Sequence, residues 1–214
     1  MFYFFFRLYA ENCSLFDFTT EFSSGSGFEL GLDFISNPVF YSEHVLYRDL
    51  KPENILLDSL GYPKLIDFGL ARVLDDGERR MSFCGTLEYM APEIIQYRSY
   101  DFAVDLWSLG VLTYELLTGV TPFPGKLENT SRDYSLIPIK AKYITPQAHK
   151  FIGELLQLNP HDRLGASYRG FKELREHAWF KDSGILRSDD QWDRLRSRAI
   201  QPPNRPQFKR GISV

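Results

Sequence analysis

Two short apolar runs flank a turn-rich stretch in the first third of the chain. The runs are Ile55-Leu56-Leu57 and Lys64-Leu65-Ile66, and the segment from Asp58 to Pro63 between them contains a glycine. Apolar runs on either side of a glycine-containing turn are typical of a β-hairpin. We therefore predict two short antiparallel strands here.

The clearest helical pattern runs from Val104 to Leu117. Its apolar positions cover nearly every face, which indicates a buried helix rather than an amphipathic surface helix. Gly119 lies just past its end and Pro122 follows, and this order is a common helix stop signal.

Two shorter helices are predicted downstream. The first begins at Thr145-Pro146, where a capping hydroxyl precedes a proline of the first turn, and Pro160 closes it. The second runs from Lys172 to His177. The tail from Ser188 is polar, and the prolines near its end favour an extended path. One hairpin and several helices predict a mainly α fold of the α+β kind.

Composition excludes several classes of protein. The chain has 214 residues, a formal charge of -3 and two cysteines, Cys13 and Cys84. A strongly basic nucleic-acid binder is disfavoured because its electrostatic footprint is missing. Two cysteines form no disulfide framework, and no apolar run approaches the roughly 18 residues that a membrane span needs. We expect no direct nucleic-acid partner and no membrane partner.

The first 44 residues differ in kind from the rest. Ten of the 18 phenylalanines lie in residues 1–40, and the only Lys or Arg before Arg48 is Arg7. We predict that residues 1–44 are a separate, Phe-rich segment that is poorly ordered or unrelated to the remainder of the chain. Two origins remain open for it: a divergent start of an isoform, or an intron read as coding sequence.

Three short motifs carry the chemistry. Tyr47-Arg48-Asp49-Leu50-Lys51-Pro52-Glu53-Asn54 is followed by Asp67-Phe68-Gly69 and then by Ala91-Pro92-Glu93. Asn54 comes five residues after Asp49, and Asp67 comes thirteen after Asn54. These are the spacings of a protein-kinase catalytic loop, its metal-binding triplet and the end of its activation segment.

On these motifs the chain resembles the C-terminal lobe of the AGC group of serine/threonine protein kinases. The run from Ser82 to Glu93 is most similar to the N-terminal kinase domain of mitogen- and stress-activated kinases and their ribosomal-kinase relatives. The resemblance implies a kinase C-lobe over residues 45–180, a helical bundle with a small hairpin and no N-lobe, and an AGC C-terminal tail over residues 181–214.

The resemblance also implies ATP and Mg²⁺ as cofactors. Asp49 would accept the proton of the substrate hydroxyl or orient it, and Lys51 would offset charge on the transferring phosphate. Asn54 and Asp67 are oxygen ligands suited to Mg²⁺. Leu56 and Phe68 resemble the lower-lobe members of apolar columns between the lobes, and Leu56 would contact the nucleotide.

Regulation and specificity are implied as well. Ser82 resembles an activation-segment phosphorylation site, with Arg48 and Arg72 holding the phosphate; the alternative is an unmodified loop serine. Thr86 resembles the residue that contacts the catalytic carboxylate and favours Ser and Thr over Tyr. Glu53 resembles an acid that recognises an arginine upstream of the target, so basic protein substrates are expected.

Three further matches are structural. Glu93 and Arg163 resemble a buried ion pair that anchors the activation segment, and breaking such a pair typically costs about 3–5 kcal/mol. Asp105 is expected to brace the backbone of the catalytic loop.

A full kinase also has an upper lobe with a glycine-rich loop and a strand lysine. Lys51 is the first lysine of this chain, so residues 1–50 supply none. Two hypotheses remain open: a serine/threonine kinase of which this polypeptide alone is weak or inactive, or a non-catalytic lobe that docks or competes for partners. An upstream activating kinase is expected as a partner, and the cytoplasm or nucleus as the location.

Overall fold

The computed structural model describes residues 45–75, 77–123, 144–181 and 188–201. Four short strands lie in its first part: β1 (Val45–Leu46), β2 (Ile55–Leu57), β3 (Pro63–Leu65) and β4 (Arg72–Val73). Six helices follow: α1 (Pro92–Ile95), α2 (Ala103–Thr118), α3 (Pro146–Leu155), α4 (Phe171–Glu176), α5 (Ala178–Lys181) and α6 (Asp189–Arg196). The described part is therefore mainly helical with little sheet. The predicted segment 1–44 and the prolines after residue 201 lie outside the described residues.

The predicted hairpin is confirmed. β2 pairs antiparallel with β3, with Ile55 opposite Leu65 and Leu57 opposite Pro63. A turn closes it, in which Gly61 has a left-handed φ of 90° and donates its N–H to the carbonyl of Asp58. A second pair, β1 with β4, was not predicted and is also antiparallel.

Helix α2 is buried along almost its whole length, as its apolar pattern predicts. It ends at Gly119, whose φ of 79° lets its N–H reach the carbonyl of Glu115 at 2.7 Å. Gly110 lies where α2 meets the end of α3, and a Cβ there would stand 2.8 Å from a side-chain carbon of Leu156. The absence of a side chain at this position lets the two segments approach closely.

Helix α3 begins as predicted, because the hydroxyl of Thr145 accepts the N–H of Ala148 at 3.2 Å. The predicted helix at 172–177 is α4, one residue earlier. None of the helices in the described part of the chain is long and apolar enough to cross a membrane.

The extended path predicted from Ser188 is wrong for residues 189–196, which form helix α6. Trp192 and Leu195 on this helix are both buried, and Trp192 packs edge-on against Phe180 with ring centroids 5.3 Å apart. Burial of these two apolar side chains stabilises a helix in an otherwise polar segment.

The chain after α6 contacts the turn of the β2–β3 hairpin. The guanidinium of Arg198 lies 5.0 Å from the ring centroid of Tyr62 and 3.4 Å from a carboxylate oxygen of Asp58. The Tyr62 hydroxyl donates to the backbone oxygens of Arg198 and Ile200. The segment after α6 is thus tied to the hairpin that lies between Asn54 and Asp67 in the chain.

Candidate active site

One buried carboxylate fixes the backbone of the loop of residues 47–54. Asp105, on the first turn of α2, accepts the backbone N–H groups of Tyr47 and Arg48, each at 2.8 Å. Arg48 has a left-handed φ of 70°, a costly conformation for a side-chain-bearing residue. Burial raises the pKa of Asp105 to about 6, although the two backbone hydrogen bonds act in the opposite direction. The predicted bracing of this loop is what the geometry shows.

Asp49 lies at the centre of a closed set of hydrogen bonds. Its Oδ1 accepts the hydroxyl of Thr86 at 2.6 Å, and its Oδ2 lies 2.9 Å from the ammonium of Lys51. Lys51 in turn donates to the Thr86 hydroxyl at 2.7 Å. Burial acts to raise the pKa of Asp49, but the bonds from Thr86, Lys51 and Asn54 outweigh it and lower the pKa below its ordinary value. The Asp49 carboxylate is therefore kept ionised and held in one orientation.

Asn54 joins this set through its amide nitrogen, which donates to the backbone oxygen and to Oδ2 of Asp49, both at 2.9 Å. Its own backbone oxygen accepts the N–H of Ile66, at the open end of the hairpin. Asp67 follows Ile66 directly. The register of the hairpin therefore brings Asn54 and Asp67 to the same, open end of the hairpin.

Tyr47 links Asp49 to Asp67. Its hydroxyl donates to the backbone oxygen of Ile66, and its ring packs edge-on against Phe68 at 5.3 Å. The pKa of Tyr47 is raised by burial and then by the carboxylates of both Asp49 and Asp67. Both carboxylates thus act electrostatically on one hydroxyl.

The donor set suits a magnesium ion shared with a ligand. Both protons of the Asn54 amide are committed to Asp49, so its oxygen is the atom that this side chain offers to a cation. Asp67 is exposed, and a Cβ at Gly69 would crowd its Oδ1 at 3.1 Å. Within the described ranges no three His, Cys, Asp or Glu side chains form a complete metal site. Hard oxygen ligands from phosphates would have to complete the coordination.

Two predicted positions lie at the rim of this arrangement. Glu53 is exposed, one residue before Asn54. Leu56 is 40% exposed on strand β2, although it is a large apolar side chain. Both are open to a ligand or partner.

The loop that carries Ser82 contacts the loop of residues 47–54 through Arg48. The Nη1 of Arg48 donates to the Ser82 hydroxyl at 2.8 Å, and its Nε donates to the backbone oxygen of Leu70 at 2.8 Å. Arg72, predicted to hold a phosphate on Ser82 together with Arg48, makes a different contact in the unphosphorylated chain, so its role stays a prediction. Arg72 is exposed on the edge pair β1–β4 and its guanidinium bonds to the neighbouring backbone oxygen of Ala71.

Gly85 sets how closely this loop approaches. Its φ is 106°, and a Cβ built there would stand 2.5 Å from the backbone oxygen of Arg48. Only glycine fits this combination of backbone angle and contact. Thr86 follows directly, so the same close approach delivers the hydroxyl that binds Asp49.

The predicted ion pair of Glu93 and Arg163 is present and buried. The two nitrogens of the guanidinium bind the two carboxylate oxygens at 2.7 and 2.8 Å. Glu93 opens helix α1 at the end of the loop that carries Ser82 and Thr86. The pair therefore ties that loop to the helical core.

Sequence reasoning missed two functional candidates. Glu115, on α2, accepts the hydroxyl of Tyr89, and its pKa is raised by burial and by the charges of Glu53 and Glu88. These three carboxylates, which interact electrostatically, form an acidic group that includes Glu53 of the loop of residues 47–54. Tyr100 lies against Ser82, with the two hydroxyl oxygens 2.8 Å apart. Neither contact is local in sequence, and no motif singles out the two residues.

Comparison with known families gives a match over most of the chain. The family described as the protein kinase domain matches residues 35–180. The match begins inside the predicted 1–44 segment, so that boundary stays a prediction.

Curated relatives agree with this family. The chain is 43% identical over 175 residues to the Drosophila melanogaster protein named cGMP-dependent protein kinase, isozyme 2 forms cD5/T2, covering 79% of this chain and 18% of that protein. It is 40% identical over 168 residues to serine/threonine-protein kinase AtPK1/AtPK6 of Arabidopsis thaliana, covering 78% and 35%. It is 42% identical over 172 residues to human ribosomal protein S6 kinase alpha-3, covering 78% and 22%. The chain thus spans between 18% and 35% of the length of these relatives.

Proposed function

Because this chain belongs to the protein kinase family, among the serine/threonine kinases of the AGC group, we propose that its site transfers the γ-phosphate of ATP to Ser or Thr hydroxyls of protein substrates. Kinases of this family use ATP and Mg²⁺. The observation that carries the proposal is the set of hydrogen bonds that joins Asp49 to Lys51, Asn54 and Thr86.

In the proposed reaction Asp49 binds the substrate hydroxyl and orients its oxygen for in-line attack, accepting its proton as the new bond forms. Its lowered pKa keeps it ionised and able to accept a hydrogen bond throughout the neutral range. Lys51, 2.9 Å from Asp49, places a positive charge where the transferring phosphoryl group passes. Asn54 and Asp67 would hold Mg²⁺, which neutralises charge on the phosphates when bound.

Thr86 supports a preference for Ser and Thr. Its hydroxyl bridges Asp49 and Lys51 at 2.6 and 2.7 Å. A substrate serine or threonine is short enough for its hydroxyl to reach Asp49 beside this bridge. The ring of a substrate tyrosine would need the space that the bridge occupies.

The acidic group supports a preference for basic substrates. Glu53 and Glu88 are exposed, and both act on the partly buried Glu115. Three carboxylates within electrostatic range favour a guanidinium or ammonium group on the bound peptide. We propose that Glu115 acts together with Glu53 in this recognition.

A second function is favoured by one sequence feature. Residues 1–50 contain no lysine, whereas a two-lobed kinase uses a strand lysine to bind the α- and β-phosphates. The 214-residue polypeptide tested alone would then bind basic peptides but transfer phosphate slowly, and act as a docking or competing module.

A chimera separates these functions. Residues 45–201 replace the matching segment of human ribosomal protein S6 kinase alpha-3, and phosphate transfer from radiolabelled ATP to a basic serine peptide is measured beside the 214-residue chain. We expect transfer by the chimera and a loss of at least about 10²–10³-fold on Asp49→Ala. A chimera that unfolds cooperatively but shows no transfer dependent on Asp49 would overturn the kinase proposal. Rapid transfer by the 214-residue chain would overturn the module proposal.

A further inference from the structure

Ser82 is exposed, and its hydroxyl contacts two buried polar side chains. Arg48 is 8% exposed and Tyr100 is 2% exposed. The Ser82 oxygen lies 2.8 Å from Nη1 of Arg48 and 2.8 Å from the Tyr100 hydroxyl, and these two groups are 3.2 Å apart. The three groups form a closed triangle.

The protons of this triangle can be assigned. A phenol has one proton, and the Tyr100 hydroxyl donates to the backbone oxygen of Ser82 at 2.9 Å. Tyr100 must therefore accept from both Arg48 and the Ser82 hydroxyl. Ser82 then accepts from Arg48 and donates to Tyr100, so every polar atom of the triangle is satisfied.

The triangle is held in place from two sides. Arg48 is anchored through its Nε to the backbone oxygen of Leu70, which leaves Nη1 directed at Ser82. Tyr100 forms a two-way backbone bridge with Arg80, at 2.9 and 2.8 Å. Neither side chain has to move far to meet a group that grows from the Ser82 oxygen.

Several other groups lie near the triangle, including the Asp105 carboxylate, which accepts the backbone N–H of Arg48 and acts electrostatically on its side chain. The Cys84 sulfur lies 3.8 Å from the Ser82 oxygen. Glu78 pairs with Arg80 at 2.8 Å, and Asp101 pairs with Arg79 at 3.4 Å. An anion at the Ser82 oxygen would thus meet the guanidinium and the phenol that already lie 2.8 Å from that oxygen.

We propose that Tyr100 is a positioning residue that, with Arg48, holds a phosphoryl group on Ser82. Phosphorylation removes the Ser82 proton and adds acceptor oxygens with about -1.5 to -2 charges. The Tyr100 hydroxyl then turns its proton from the backbone oxygen of Ser82 to a phosphate oxygen, and Arg48 supplies the charge. This inference takes Ser82 as the modified residue, which is what the resemblance to AGC kinases implies, and it does not rest on the proposed phosphate transfer.

The test uses the full chain with phosphoserine encoded at position 82, so no activating kinase and no catalysis are required. The second pKa of the phosphate is followed by ³¹P NMR between pH 4 and 8, and removal of the phosphate by a non-specific phosphatase is timed. We expect Tyr100→Phe to raise the second pKa and to speed dephosphorylation about tenfold, the effect of losing one hydrogen bond to a charged group. Tyr97→Phe, which removes the hydroxyl of a 62% exposed tyrosine, is the matched control and should change neither.

A second measurement leaves Tyr100 unaltered and guards against a folding defect in the variant. The ¹³Cζ resonance of labelled Tyr100 should differ between the serine and phosphoserine chains and should titrate with the phosphate near pH 6. A Tyr100 resonance that ignores the phosphate, or equal pKa and dephosphorylation rates in the folded Tyr100→Phe and Tyr97→Phe chains, would overturn the proposal. Because neither readout depends on transfer from ATP, these outcomes are independent of those of the kinase assay.

Discussion

Arg163 binds Glu93 with one nitrogen on each carboxylate oxygen, and neither side chain is more than 5% exposed. The guanidinium also lies 5.1 Å from the ring centroid of Trp107 and donates to the backbone oxygens of Ala103 and Gln157. The pair joins the end of the Ser82 loop to α2 and to the turn after α3.

Replacing Arg163 by Met should lower the free energy of unfolding by about 3–5 kcal/mol, because it leaves the Glu93 carboxylate buried without its partner. Urea unfolding followed by far-UV circular dichroism measures this. Lys150→Met is the control, since Lys150 is 67% exposed and pairs with Glu154 at the surface, where about 0–1 kcal/mol is expected. Equal losses in both variants would show that the buried pair has no special role.

Gly85→Ala should destabilise the chain more than Gly77→Ala. Both glycines have positive φ, which costs an alanine about 1–2 kcal/mol. A Cβ at Gly77 meets nothing within 4 Å, whereas one at Gly85 stands 2.5 Å from the backbone oxygen of Arg48. The difference between the two unfolding free energies therefore isolates the contact between the loops. A difference near zero would mean that the loops separate at little cost.

Asp105 should make stability fall as pH rises from about 4 to 6. Its pKa is raised from 3.8 to about 6, so over this range the folded carboxyl keeps a proton that the unfolded chain releases. The unfolding free energy of the wild type minus that of Asp105→Asn should decline by on the order of 2–3 kcal/mol across the window. A difference that increases with pH would contradict the expected shift.

Thr86→Val should raise the pKa of Asp49, because the Thr86 hydroxyl makes the strongest of the bonds that lower it. The ¹³C resonance of the Asp49 carboxyl, followed through a pH titration, reports this directly. Thr86→Ser keeps the hydroxyl and should leave the titration near that of the wild type. An unchanged pKa in the valine variant would mean that Lys51 and Asn54 suffice to hold Asp49 ionised.

Local patterns predicted the elements that depend on neighbouring residues. The β2–β3 hairpin and helix α2 follow from short-range turn, capping and burial signals, and the structure confirms both. The candidate site could be predicted for a different reason, because Asp49, Asn54 and Asp67 lie at fixed separations in the sequence, along one loop and one hairpin.

Contacts between distant segments could not be read in this way. The role of Arg72 in holding a phosphate on Ser82 stays a prediction. The exposed place of Arg72 on strand β4 arises from the pairing of β4 with β1, which no local pattern predicts. Helix α6 was missed because its composition is polar, and the burial of Trp192 and Leu195 that stabilises it depends on distant parts of the chain. Tyr100 and Glu115 carry no motif, since their roles arise from where the fold brings them.

The packing of Trp192 against Phe180 affects where a recombinant fragment of this protein should end. An expression product that stopped at Lys181 would keep every motif yet leave the Phe180 ring facing water, and the hairpin turn would lose Arg198. Exposed aromatic surface of this kind promotes self-association. A fragment meant for crystallisation or binding assays should therefore extend through Gln201.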